Sequence, residues 1–183
     1  MNLHLQRYKT AHTDALAALI PNANTAQDKE LNSKAYLRAG RAQYGLAHYR
    51  NAADLFQLGI EFSDDCSSKE DCKTEHLRTA ERLKEEERGV YRFASMAAAA
   101  KKQMLTRLDH ACFVRRTRVA ASSASGRGLF AAADIKTGEV VMVEKAFAAA
   151  YASDNAGELQ MSINVNTNRT CVGTYATLLS VGT

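Results

Sequence analysis

The residues best suited to chemistry lie together at Ser125, Gly126, Arg127 and Gly128. Glycine lacks a Cβ, so its backbone can lie directly on a flat or crowded ligand. The carbonyls and amides of such a segment can then meet a charged amino-acid moiety. Arg127 adds a guanidinium able to pair a carboxylate or cover an adenine face. By itself, Gly-x-Gly is equally what a bulge or tight turn requires. The string that follows is more distinctive: Leu129-Phe130-Ala131, Asp134-Ile135, a Lys136-Thr137-Gly138-Glu139 turn, and Val140 to Phe147, an apolar strand interrupted by Glu144 and Lys145. Gly138 supplies the positive φ that such a turn favours.

Other reactive side chains form no comparable set. Cys66, Cys72, Cys112 and Cys171 fit no Cys-x-x-Cys zinc spacing. Cys66, Cys72 and His76 are the one combination able to converge, Cys72 and His76 being one helical turn apart. The preferred reading is free thiols with no metal. His4, His12, His48, His76 and His110 are scattered, and each is read as a surface or hydrogen-bonded histidine. There is no His-Glu-x-x-His, no Gly-x-Ser-x-Gly, no Walker-type loop and no Rossmann glycine triplet. No catalytic residue is assigned.

Strands and helices must carry these residues. Phe113 to Val119 is β-prone, and Ala121 to Ser125 is a loop of small residues. Gly126-Arg127-Gly128 is expected to bend irregularly between short strands, with Leu129 and Phe130 starting the next. Residues 1–108 read as helical. Ala52, Phe56, Gly59 and Ile60 share one helix face, and a short turn joins this helix to Tyr36–Leu46, so the pair should be antiparallel. Leu3 to Ile20 is a further helix. In Asp71 to Arg88, Leu77, Ala80 and Leu83 form a narrow apolar stripe on a charged connector. Gly89 to Phe93 breaks the pattern, which resumes from Ala94 to Met104.

Composition agrees with closely packed helices. Apolar residues make up 46% of the 183, there is no Trp, and Pro21 is the single proline. The net charge of +4 does not call for nucleic acid. Arg115, Arg116 and Arg118 lack interleaved aromatics and read as a solvated strand face. No apolar run reaches the ~18 residues of a membrane span. His4, Gln6, Arg7 and Lys9 interrupt any signal-peptide core, so an intracellular protein, in nucleus or cytoplasm, is expected.

Two resemblances sharpen this reading. Tyr36, Gly40, Ala52 and Phe56 match positions of a tetratricopeptide repeat, a helical hairpin of ~34 residues, although the closing proline is Asp64. The string from Gly126 to Glu144 resembles the opening strands of a SET domain. Together with Leu108-Asp109-His110-Ala111 and Glu144-Lys145-Ala146-Phe147, it is similar to fungal proteins that join such repeats to a SET domain related to the SET-and-MYND lysine methyltransferases. The resemblance implies an α+β chain, with an antiparallel helical region over 1–108 and the first part of a SET domain over 113–183. It implies protein-lysine methylation with S-adenosylmethionine, held in part by Ser125, Gly126, Arg127 and Gly128, and a protein partner or substrate met through the repeats. The family's later Asn-His-Ser-Cys-like segment and catalytic tyrosine do not occur in these 183 residues. The chain is therefore expected to be a fragment, inactive alone and binding the cofactor weakly or not at all. The alternative is a non-enzymatic protein-interaction module.

Overall fold

The computed structural model describes residues 2–102, 108–122 and 126–144. Among them are the helices α1 (Tyr8–Ala17), α2 (Ala26–Gly45), α3 (Tyr49–Phe62), α4 (Cys66–Arg88) and α5 (Phe93–Lys102). An antiparallel hairpin follows, β1 (Thr117–Ser122) with β2 (Gly126–Ala131). The architecture is mixed α and β, helices before strands. Helices α1 to α4 and the described part of 109–143 form one compact unit. The remainder of α5 belongs to a second unit.

Local signals set the helix ends. Thr25 accepts a hydrogen bond from the Asp28 N–H at 3.0 Å, and Asp28 accepts one from the Thr25 N–H at 3.3 Å. This capping box satisfies two N–H groups at the start of α2. Asp65 caps α4 through the Ser68 N–H at 2.9 Å. Gly89 ends α4 in the left-handed region at φ +65°, where glycine is strongly favoured.

The expected antiparallel helix pair is present as α2 and α3. Ser33 Oγ donates to the Gly59 carbonyl at 2.9 Å, Tyr36 packs on Phe62, and Tyr44 on Tyr49. Early α2 thus meets late α3, and late α2 meets early α3. Phe56 is 0% exposed and centres a core with Leu37, Ala52 and Cys72. A Cβ at Gly40 would lie 2.5 Å from the Phe56 ring, so the small residue is what allows the close approach. Helix α1 spans only Tyr8–Ala17, shorter than the apolar run predicted.

Helix α4 departs from its expected packing. Leu77 is 69% exposed, while Cys72, Thr79, Arg82 and Glu85 are buried. Cys72 joins the apolar core, while the later part of the stripe is polar and meets hydrogen-bonding groups. Thr79 Oγ1 returns to the Glu75 carbonyl at 2.7 Å. Arg82 and Glu85 face the backbone of residues 109–111.

The strands also shift. β1 starts at Thr117 and extends through Ala120 to Ser122, where a loop was predicted. Phe113 makes only an isolated bridge, to Met142, in place of two full strands. Residues 145–147 of the predicted last strand lie outside the described residues. The Lys136–Glu139 turn forms as expected, closed by a Glu139 N–H to Lys136 carbonyl bond at 3.1 Å, with Gly138 at φ +87°.

Candidate functional site

Gly126, Arg127 and Gly128 lie within β2, not in a bend before it. The register pairs Ser122 with Gly126, Ala121 with Arg127, Ala120 with Gly128, and Arg118 with Phe130. A ladder has no room for an irregular bend here, because Gly126 takes up the left-handed turn into the strand alone, at φ +77°. Gly128 has no positive φ to explain it, and a Cβ there would meet only the Phe130 ring, at 3.2 Å. Within the hairpin, the contact that favours a second glycine is this one with the exposed Phe130 ring.

Alternation along a strand sends successive side chains to opposite faces. Gly128 and Phe130 share a face with Ala120 and Arg118 across the ladder. Arg127 shares the other face with Ala121, Val119 and Leu129. The two glycines and the arginine thus do not converge through their side chains. What the segment offers on the glycine face is a strip of backbone flanked by the Phe130 ring, with Arg118 opposite Phe130 across the ladder. Sequence reasoning missed Arg118, since only the register reveals its position. Ser125 lies outside the described residues, as do Tyr151, Tyr175 and Cys171.

The hairpin is open. Val119, Leu129 and Phe130 are all substantially exposed. Two surface concavities among the described residues lie away from it. One, of about 310 Å³, is lined by Ala47, His48, Arg50, Glu86, Glu87 and Arg115. The other adjoins Leu19, Ile20, Pro21, Tyr36 and Phe62. In the first, Arg50 and Arg115 both pair with Glu87, and burial pushes the Glu86 carboxyl above its ordinary pKa.

A second concentration of charge joins α2 and α4 to the chain after α5. Asp109 receives hydrogen bonds from Tyr44 Oη at 2.5 Å and Arg78 Nε at 2.7 Å. Burial alone would raise the Asp109 pKa, but these bonds and the charges of Arg78 and Arg82 hold it below the usual carboxylate range. The Arg78 guanidinium lies 4.4 Å from the Tyr44 ring centroid, a cation–π distance. Every one of these groups is committed to another, as in a structural network rather than a reactive centre. The sequence carried a trace of it: Glu75, Arg78, Arg82 and Glu85 recur at one-face spacing.

Among the histidines, His48 Nδ1 lies 2.8 Å from Gln43 Oε1 and His76 Nδ1 lies 3.2 Å from the Ala53 carbonyl. His110 differs, being 3% exposed with Nδ1 unpaired. Cys72 is buried and Cys66 exposed, and burial raises the Cys72 thiol. Among the described residues no three His, Cys, Asp or Glu side chains are placed to hold a metal. No described helix is long and apolar enough to cross a membrane.

No family model matches the chain, and no solved structure matches it. A protein of Gibberella zeae named "Methyltransferase" is 28% identical to it over 183 residues, which are 99% of this chain and 24% of that relative. The chain thus spans about a quarter of its relative's length.

Proposed function

We propose that this chain is part of a methyltransferase that uses S-adenosylmethionine to methylate protein lysines, and that the glycine face of β2 is one wall of the cofactor site. The observation that carries this reading is Gly128, a strand glycine outside the left-handed region, where a Cβ would press only on the edge of the Phe130 ring, at 3.2 Å, and on no backbone. A side chain there would stand between the strand and anything lying on it. The distant relationship to a named methyltransferase supports the same assignment. Gly126 and Gly128 contribute backbone, as does Arg127, and the motif assigns Ser125 to the same site. The lysine specificity and the SET-type architecture rest on the motif from Gly126 to Glu144.

A single exposed hairpin covers one side of a ligand, whereas good sites bury roughly 70–90% of it. On the described residues alone, weak cofactor binding and no turnover are expected. The helical region, with its α2–α3 pair packed through Gly40 and Phe56 in the manner of a tetratricopeptide repeat, supplies a surface for a protein substrate or partner inside the cell.

Calorimetry with S-adenosylmethionine and a radiolabelled methyl-transfer assay on histones or cell lysate test the reading. Weak binding that Gly128→Val abolishes, with no turnover, is expected. Binding indifferent to Gly128→Val removes β2 from the site. Turnover by the chain itself shows that the machinery is more complete than proposed.

A further inference from the structure

We propose that Arg82, Glu85 and Tyr91 form a buried lock that orders the β1–β2 hairpin by gripping the backbone strap of residues 109–111. Three backbone groups of that strap, one on Asp109 and two on Ala111, are held by side chains. The Asp109 carbonyl accepts from Arg82 Nη1 at 2.7 Å. The Ala111 N–H donates to Glu85 Oε2 at 2.9 Å. The Ala111 carbonyl accepts from Tyr91 Oη at 2.8 Å. Arg82 and Glu85 also bind each other, Nη2 to Oε1 at 2.8 Å, with Nε 2.8 Å from Oε2. Arg82, Glu85 and Tyr91 are 8%, 4% and 8% exposed, and Ala111 is 1% exposed.

Buried charges of this kind are weak evidence of stabilisation, since desolvation offsets most of their attraction. What they do provide is direction: each hydrogen bond fixes one backbone group of the strap. Beyond the lock, the Arg115 N–H meets the Glu86 carbonyl at 2.7 Å, one of the unpaired carbonyls that end a helix. The Val143 N–H then meets the Cys112 carbonyl at 2.9 Å, and the chain enters β1. A two-stranded hairpin alone is marginal in water, and this one exposes Val119, Leu129 and Phe130. Its order comes from the strap, and the strap's order from α4. The helical layer is thus the base on which the glycine strand is held, and release of the lock frees that strand. None of this depends on the methyl-transfer reading.

Hydrogen exchange on the full 183-residue chain tests the lock. The Arg82→Met/Glu85→Leu variant replaces the buried pair by apolar side chains of similar length, which a helix core tolerates well. The Ala132 amide, which donates to the Arg116 carbonyl at 2.7 Å next to the ladder, touches neither residue. It should exchange at least about tenfold faster, while Ala52 and Phe56 in α3 stay within about twofold. Unchanged exchange at Ala132 overturns the proposal. So does equal acceleration in α3, which would mean the pair only supports global stability. Tyr91→Phe, which removes one strap bond and leaves the ion pair, provides the second reading. A smaller acceleration at Ala132 is expected there, and none at all again overturns the lock.

Discussion

Gly40 and Phe56 occupy the tightest point between α2 and α3, and the residue pair makes sharp demands on substitution. Gly40→Ala puts a methyl 2.5 Å from the Phe56 ring, so either the ring or the helix must move. Overpacking of this kind costs about 1–3 kcal/mol. Phe56→Ala, which empties a fully buried site, should cost about 3–5 kcal/mol. Denaturant unfolding of both variants checks these values, and an unchanged midpoint in Gly40→Ala would show that the contact yields freely. Asp109 makes a prediction in pH. Its pKa is lowered on folding, so it stabilises the fold fully above the unfolded value and loses that contribution as pH falls through the folded one. Stability lost on acidification below about pH 4 should therefore be smaller in Asp109→Asn than in the parent chain. Parallel acid limbs in the two proteins would mean that solvent screens the Tyr44–Asp109–Arg78 contacts.

Between α2 and α3 the chain turns through Ala47, a non-glycine residue at φ +60°. The left-handed conformation costs an L-residue roughly 1–2 kcal/mol, part of which glycine gives back in chain entropy. Ala47→Gly should raise stability by up to about 1 kcal/mol, visible as a higher thermal midpoint, and a lower midpoint would mean the alanine methyl is packed usefully. Elements of this sort show what sequence can reveal. The α2–α3 pair was legible because apolar and small residues repeat at helical spacing on both partners. The Gly138 turn was legible because its residue types permit little else. α4 was misread because Leu77 and Leu83 looked like its packing stripe, while the face it buries carries Arg82 and Glu85. Periodicity counts charge as solvated and cannot tell when two charges pair with each other and with two backbone groups. The bend expected at Gly126–Gly128 proved to be strand for a related reason, since pairing with β1 depends on residues distant in sequence. The split of Arg127 from the glycines follows from that register alone.

At the scale of the whole described unit, helices and hairpin are joined by the strap at Asp109–Ala111, so a partner bound to the helical layer and a ligand on the hairpin would act on one body. Under the proposed function, the cofactor would meet the glycine face of β2 from one side, beside the Phe130 ring. An NMR titration of the 183-residue chain with S-adenosylmethionine tests this most directly. The amides of Gly126 and Gly128 and of Ala120 across the ladder should shift progressively with a Kd in the millimolar range, about −4 kcal/mol. Those shifts should vanish in Gly128→Val, whose helix signals should stay in place. No movement of these amides up to ~10 mM cofactor, or shifts confined to α1–α4, would contradict a cofactor wall on β2.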